Sequence, residues 1–154
     1  GERSLSTNYD RVMGLQDYVY NHGLDLDDIK CRFGAFSPEY AEEVLAEFER
    51  AGEMPTALIV GSVAIAAGVM SYCKRRGIAI PGDLSLVSFG TFNYPMTVEP
   101  QLTYIDDMNG EIADQILQML EPVVRGEKAV ERVQRALEPV LVHGGSCMAR
   151  KAHV

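Results

Sequence analysis

Between Pro55 and Phe89 the chain carries a strand, a helix and a strand in close succession, and this unit limits the possible folds more than any other feature. Thr56-Ala57-Leu58-Ile59-Val60 is a near-continuous apolar run, of the kind seen in strands covered on both faces. It predicts a central strand. Val63 to Arg76 follows, with Ala64, Ile65, Ala66, Ala67, Val69 and Met70 and almost no polar face. Lys74, Arg75 and Arg76 lie at the end where the helix dipole favours cations, and Gly77 supplies a stop. Such a helix needs cover on most sides. Leu84-Ser85-Leu86-Val87-Ser88-Phe89 alternates between Pro81-Gly82-Asp83 and Gly90, predicting a second strand.

The flanking segments extend the alternation. Val12, Leu15 and Val19 fall at helical spacing from Asn8 to His22, behind a Ser6-Thr7 cap and before Gly23. Ile29 to Phe33 is short and ends at Gly34, after which Ser37-Pro38-Glu39 opens a helix expected to reach Arg50. Leu102-Thr103-Tyr104-Ile105 predicts another strand. Ile112, Ile116, Leu117 and Leu120 mark a helix ending before Pro122, and Val140-Leu141-Val142 is a last strand. Strands alternating with helices imply an α/β fold with a doubly wound parallel sheet and right-handed crossovers. Ligands of such sheets sit beyond the carboxyl ends of the strands. The candidate site therefore lies at the loops holding Phe36, Ser62 and Gly90.

Composition removes several function classes. With 154 residues, 47% hydrophobic and 23% charged, the chain has the make-up of a folded domain rather than a disordered one. Lys+Arg 14 against Asp+Glu 22 gives a net charge of −8, a poor balance for direct phosphate neutralisation, so any DNA contact must come from elsewhere. Cys31, Cys73 and Cys147 have no zinc spacing and are expected as buried free thiols. No apolar run reaches the roughly 18 residues of a membrane span, and no signal-peptide pattern opens the chain. A cytoplasmic protein without membrane contact is expected.

Catalytic signatures are missing as well. There is no GxSxG, P-loop or GxGxxG, and Gly144-Gly145-Ser146 is too near the end to form a phosphate cradle. His22, His143 and His153 are scattered and read as surface or helix-end residues. Asp106-Asp107 follows a strand without a third ligand and reads as a cap. No catalytic residue, metal or cofactor is expected, and the chain reads as a non-enzyme. Arg11, on the first helix, has the chemistry of a bidentate clamp on hydroxyls, carboxylate or phosphate. Phe36 offers an aromatic face between Gly34 and Pro38.

From Pro55 through Gly68 and again from Gly77 through Phe89, the chain resembles the effector-binding domain of LacI/GalR-family transcription regulators. Arg11-Val12-Met13-Gly14 and Gly34-Ala35-Phe36-Ser37-Pro38-Glu39 resemble that family's earlier segments. Pro100-Gln101-Leu102-Thr103-Tyr104-Ile105 is similar to its return crossing, and Glu138 to Val142 with Gly145-Ser146-Cys147 to its closing strand. The order matches throughout. The resemblance implies a periplasmic-binding-protein-like (type I) sensor of two subdomains, attached to a helix-turn-helix domain that binds operator DNA as a dimer.

On this reading the chain is the C-terminal subdomain, with the N-terminal subdomain largely absent. Residues 1–95 form the subdomain, 96–125 cross toward the missing one, and 126–154 return as strand and tail. The apolar face of the crossing segment is then expected to lack its usual cover. The family's ligand contacts map onto Thr7, Arg11, Phe36, Ser62 (usually asparagine) and Gly90 (usually aspartate), and Val63 replaces an acid. With that carboxylate gone, the effector is expected to be anionic or partly aromatic rather than a typical sugar. The function implied is the coupling of small-molecule occupancy to operator affinity. Self-association as a homodimer is expected through Val63–Arg76 and Leu84–Phe89. The pattern alone also admits a small flavodoxin-like enzyme, a nucleotide-binding domain or a stand-alone dimerisation module.

Overall fold

The computed structural model describes residues 6–92, 99–127 and 134–149. In chain order the elements are α1 (Ser6–Asn21), a 3-10 turn (Leu26–Asp28), α2 (Pro38–Ala51), β1 (Ala57–Val60), α3 (Val63–Arg76), β2 (Ser85–Phe89), β3 (Thr103–Asp106), α4 (Asn109–Val124) and β4 (Val140–Val142). The strands form one sheet in the order β1-β2-β3-β4. β1 with β2 and β2 with β3 are parallel, in the register Leu58↔Leu86 and Ser88↔Tyr104. The α/β class and the parallel-dominated sheet follow the sequence pattern.

Cap chemistry sets α2 and α3. Ser37 is extended and its side chain accepts from Tyr40 N, Pro38 opens the helix, and Gly52 closes it at φ 69. Ser62 does the same for α3, with Gly77 at φ 70 as the stop. The two helices pack where Gly68 lets them approach, because a Cβ there would lie 2.3 Å from the Pro38 carbonyl oxygen. Ala41, Leu45, Ala66, Val69, Leu84 and Leu86 are the centre of the core between these helices and the sheet.

The end of the chain locks the sheet. Ser146 is fully buried. Its Oγ accepts from Thr103 N at 2.8 Å and donates to Leu86 O at 2.5 Å, and its carbonyl accepts from Leu86 N at 2.8 Å. It thus bridges β2 and β3 at their amino ends. Gly144 has no room for a side chain, since a Cβ would lie 2.3 Å from Leu102 O. The Gly144-Gly145-Ser146 motif therefore has a structural role.

Several expectations need correction. β1 is an edge strand of the described sheet, with Ile59 59% exposed, rather than a central one covered on both faces. Its partners lie only on the β2 side, and the segment 29–33 forms no strand. β4 runs antiparallel to β3, pairing Tyr104↔Val142, so the sheet is not wholly parallel. α1 begins at Ser6, which puts Ser6 and Thr7 inside its first turn instead of before it. α4 continues through Pro122 to Val124. A proline so near the C-terminus removes only one helical donor, and Arg125 N still reaches Glu121 O at 3.1 Å. Cys73 is buried, but Cys31 is exposed and Cys147 only partly covered, all three as free thiols.

α4 has no buried residue, and Ile112, Ile116, Leu117 and Leu120 are all exposed. The apolar face of α4 is thus exposed in this chain. α3, in contrast, spends much of its apolar surface inside the chain: Ala66, Gly68, Val69, Tyr72 and Cys73 are buried. β2 is paired on both edges. Ala64, Ile65, Ala67 and Met70 on α3 are only partly covered.

Candidate functional site

The carboxyl ends of the parallel strands gather the chemistry. On α1 the covered positions are Asn8, Arg11, Val12, Leu15 and Val19, a helical stripe, so the periodicity that buries Val19 also turns Arg11 inward. Arg11 Nη1 donates to Gly61 O at 3.2 Å. Its guanidinium carbon lies 3.8 Å from the centre of the Phe89 ring, a cation–π contact that holds the group over the end of β2. Burial lowers the Arg11 pKa, and the negative charge of Asp107 raises it in part. The residue remains cationic at neutral pH, and the contacts to Gly61 and Phe89 leave much of its fork free to donate.

Phe36, on the loop entering α2, is 41% exposed. A Cβ at Gly61 would lie 3.1 Å from Phe36 Cε1 and 3.6 Å from Arg11 Nη1. Glycine at 61 therefore allows ring and guanidinium to close on the backbone after β1. The half-exposed ring is free to stack on a flat ligand face. Ser62 comes next, at the N-cap of α3, where its Oγ accepts from Ile65 N at 3.4 Å. Capping occupies one lone pair and leaves the hydroxyl proton to donate.

Gly90 follows β2 at φ 75, a left-handed conformation that suits glycine, and its N–H donates to Ile105 O at 2.9 Å. Glycine at this position thus has a backbone reason. A Cβ there would lie 4.0 Å from Asp107 Oδ2. Arg11, Phe36 and Ser62 come together around Gly61, and Gly90 adjoins through Phe89. Thr7 is exposed on α1, four residues before Arg11.

Two residues of the site escape a reading by loops. Phe89 is the last residue of β2, and its ring is the platform for Arg11. Asp107 stands just past β3. Asp106 Oδ1 accepts from Met108 N at 2.9 Å, and Met108 turns left-handed at φ 56. Asp106 thus fixes the turn before α4 rather than capping it as expected, since α4 has no side-chain cap hydrogen bond, while Asp107 is exposed. An inventory limited to the Gly90 loop finds no carboxylate, whereas the next strand delivers one. The signal was the Asp-Asp pair at the carboxyl end of a strand adjacent to β2.

Asp107 also lines a groove of about 280 Å³ between α4 and the segment 135–139, walled by Ile112, Ile116, Leu137 and Pro139. Gln115 and Arg135 also line that groove, where Arg135 Nη1 donates to Gln115 Oε1 at 3.3 Å. Among the described residues no cluster of three His, Cys, Asp or Glu has metal-holding geometry. His22 Nδ1 lies 2.8 Å from Tyr18 O and its ring stacks on Tyr18, the helix-end role expected of it, while His143 is exposed and His153 lies outside the described residues. No helix among the described residues is long and apolar enough to cross a membrane.

Residues 1–147 match the family described as periplasmic binding protein-like domain. Catabolite control protein A of Staphylococcus aureus is 30% identical over 131 residues, covering 85% of this chain and 39% of that protein. The HTH-type transcriptional repressor CytR of Escherichia coli is 25% identical over 149 residues, 97% of this chain and 43% of that protein. The chain thus spans less than half the length of these relatives. A solved LacI-family repressor from Corynebacterium glutamicum superposes with a TM-score of 0.76 at 25% identity, over 95% of this chain and 55% of that one.

Proposed function

The chain belongs to the periplasmic binding protein-like domain family, as the effector-binding part of a LacI-family regulator, and on that premise we propose that its strand-end cleft senses a small polar effector. Arg11 holds an acceptor or anionic group of the effector and Phe36 receives its flatter face, with Ser62, Gly90 and Thr7 at the margins. Occupancy alters the angle of a second subdomain packed over the cleft and thereby the affinity for operator DNA. In this reading residues 1–95 are the C-terminal subdomain, 96–125 the crossing and 126–154 the return. DNA is bound by a helix-turn-helix domain encoded outside this chain, in a cytoplasmic homodimer, with no catalysis and no cofactor.

One observation carries the reading: Arg11 is held against Phe89 and Gly61 at the carboxyl edge, partly buried, and those two contacts leave most of its donors for a ligand. In the full-length regulator, Arg11→Ala should abolish the effector response of a reporter while circular dichroism stays that of the parent. A variant that responds as the parent does overturns the assignment.

A further inference from the structure

We propose that Asp107 is the hydrogen-bond acceptor of the effector cleft, so that the effector presents a hydroxyl or ammonium donor beside the group that Arg11 holds. The inference rests on the reading of the strand-end cleft as the effector site and specifies which chemistry that site selects.

Three features place the carboxylate there. Asp107 follows β3 directly, and β3 lies beside β2 in parallel, so its carboxylate emerges at the same sheet edge as Phe89 and Gly90. The turn is fixed by the Asp106–Met108 hydrogen bond. Gly90 has no side chain to fill the space in front of Oδ2, which is 4.0 Å from where a Cβ would be, and its N–H is already committed to Ile105 O. The carboxylate is thus accessible, and its charge reaches Arg11 strongly enough to offset part of the desolvation there.

An ionised carboxylate only accepts hydrogen bonds and a guanidinium only donates them. A cleft with one of each, near an aromatic face, selects a molecule with an acceptor and a donor on neighbouring atoms. A molecule with acceptors alone would leave Asp107 desolvated and unpaired. Hydroxyl and ammonium donors share this chemistry but differ in charge. Asp107→Asn separates them, since it keeps an acceptor oxygen and removes the charge.

The test is calorimetric titration of the full-length regulator and its Arg11→Ala, Asp107→Ala and Asp107→Asn variants, each checked for fold by circular dichroism. The probes are glucose, cellobiose, glucosamine and glucose 6-phosphate, with donor-free benzoate and sulfate as contrasts. The expected result is binding of a donor-bearing probe that weakens about tenfold or more in Asp107→Ala. In Asp107→Asn, a hydroxyl probe keeps part of its affinity and glucosamine loses it as fully as in the alanine variant. If Arg11→Ala abolishes binding while Asp107→Ala stays within about twofold, Asp107 has no such role although the cleft stands. If neither variant changes binding, the cleft itself is misassigned. Binding of the donor-free anions alone, or of no probe at all, overturns the inference.

Discussion

Ser146 is the residue on which the sheet depends most directly. Its Oγ satisfies Thr103 N and Leu86 O in a site without solvent access. Ser146→Ala leaves the Thr103 N–H without its partner and should cost about 1–3 kcal/mol. Urea unfolding of the isolated chain would show it, and an unchanged midpoint would mean that water replaces the hydroxyl. At the same scale, the placement of Arg11 and Phe36 is legible in the sequence because each follows from a local rule, helical period and a loop between turn residues. Ser62 reads there only as a loop residue after β1, and its capping of α3 comes from the structure. Asp107 is not legible in this way. It reaches the site through strand pairing, and the pairing of β2 with β3 is not written in the spacing of either strand. Gly90 reads in the sequence as a lost carboxylate, whereas its left-handed turn explains the glycine independently of the ligand.

At the level of elements, the α2–α3 pair has the narrowest tolerance. Gly68→Ala would drive a methyl group into the Pro38 backbone and the Ala41 Cβ, 2.3 and 2.9 Å away. Backbone cannot rotate aside as a side chain can, so a loss of about 1–3 kcal/mol, or more, is expected in thermal or denaturant unfolding. Its polar seam is acid-sensitive. Glu49 accepts from Arg76 and from the Tyr72 hydroxyl, which is 2.5 Å away, and these bonds, Arg76 first, lower its pKa below the usual 4.5. A carboxylate depressed in the folded state stabilises it above the unfolded pKa and loses that contribution as pH falls through the folded one. The parent should therefore lose stability with acid below about pH 4.5 more steeply than Glu49→Gln, and salt should narrow the difference. Equal slopes would show that the seam is electrostatically idle. Helix limits are legible here because serine caps and glycine stops are local signals. The length of α4 is not, since a proline at a helix's last turn breaks less than one in its middle.

For the whole molecule, the uncovered face of α4 is the dominant surface feature. Leu117 is 65% exposed and Ile116 50%, in a contiguous apolar patch of the kind that folded chains seldom leave open. The isolated chain should bind a hydrophobic dye, and an Ile116→Glu/Leu117→Glu double variant should reduce that fluorescence severalfold without lowering stability. Equal fluorescence would place the dye elsewhere. The parallel pairing of β1 with β2 is legible because α3 separates the two strands, and a strand-helix-strand unit admits few alternatives. The antiparallel return is not, because Val140-Leu141-Val142 is too short to reveal direction. The clasp at Ser146 also has a temporal side. Leu86 and Ser146 are 60 residues apart, so on the ribosome β2 and β3 emerge long before the serine that joins their ends. Until it arrives, the growing chain carries an unfinished sheet, which makes the interval between those two residues the period in which a chaperone would find most to hold.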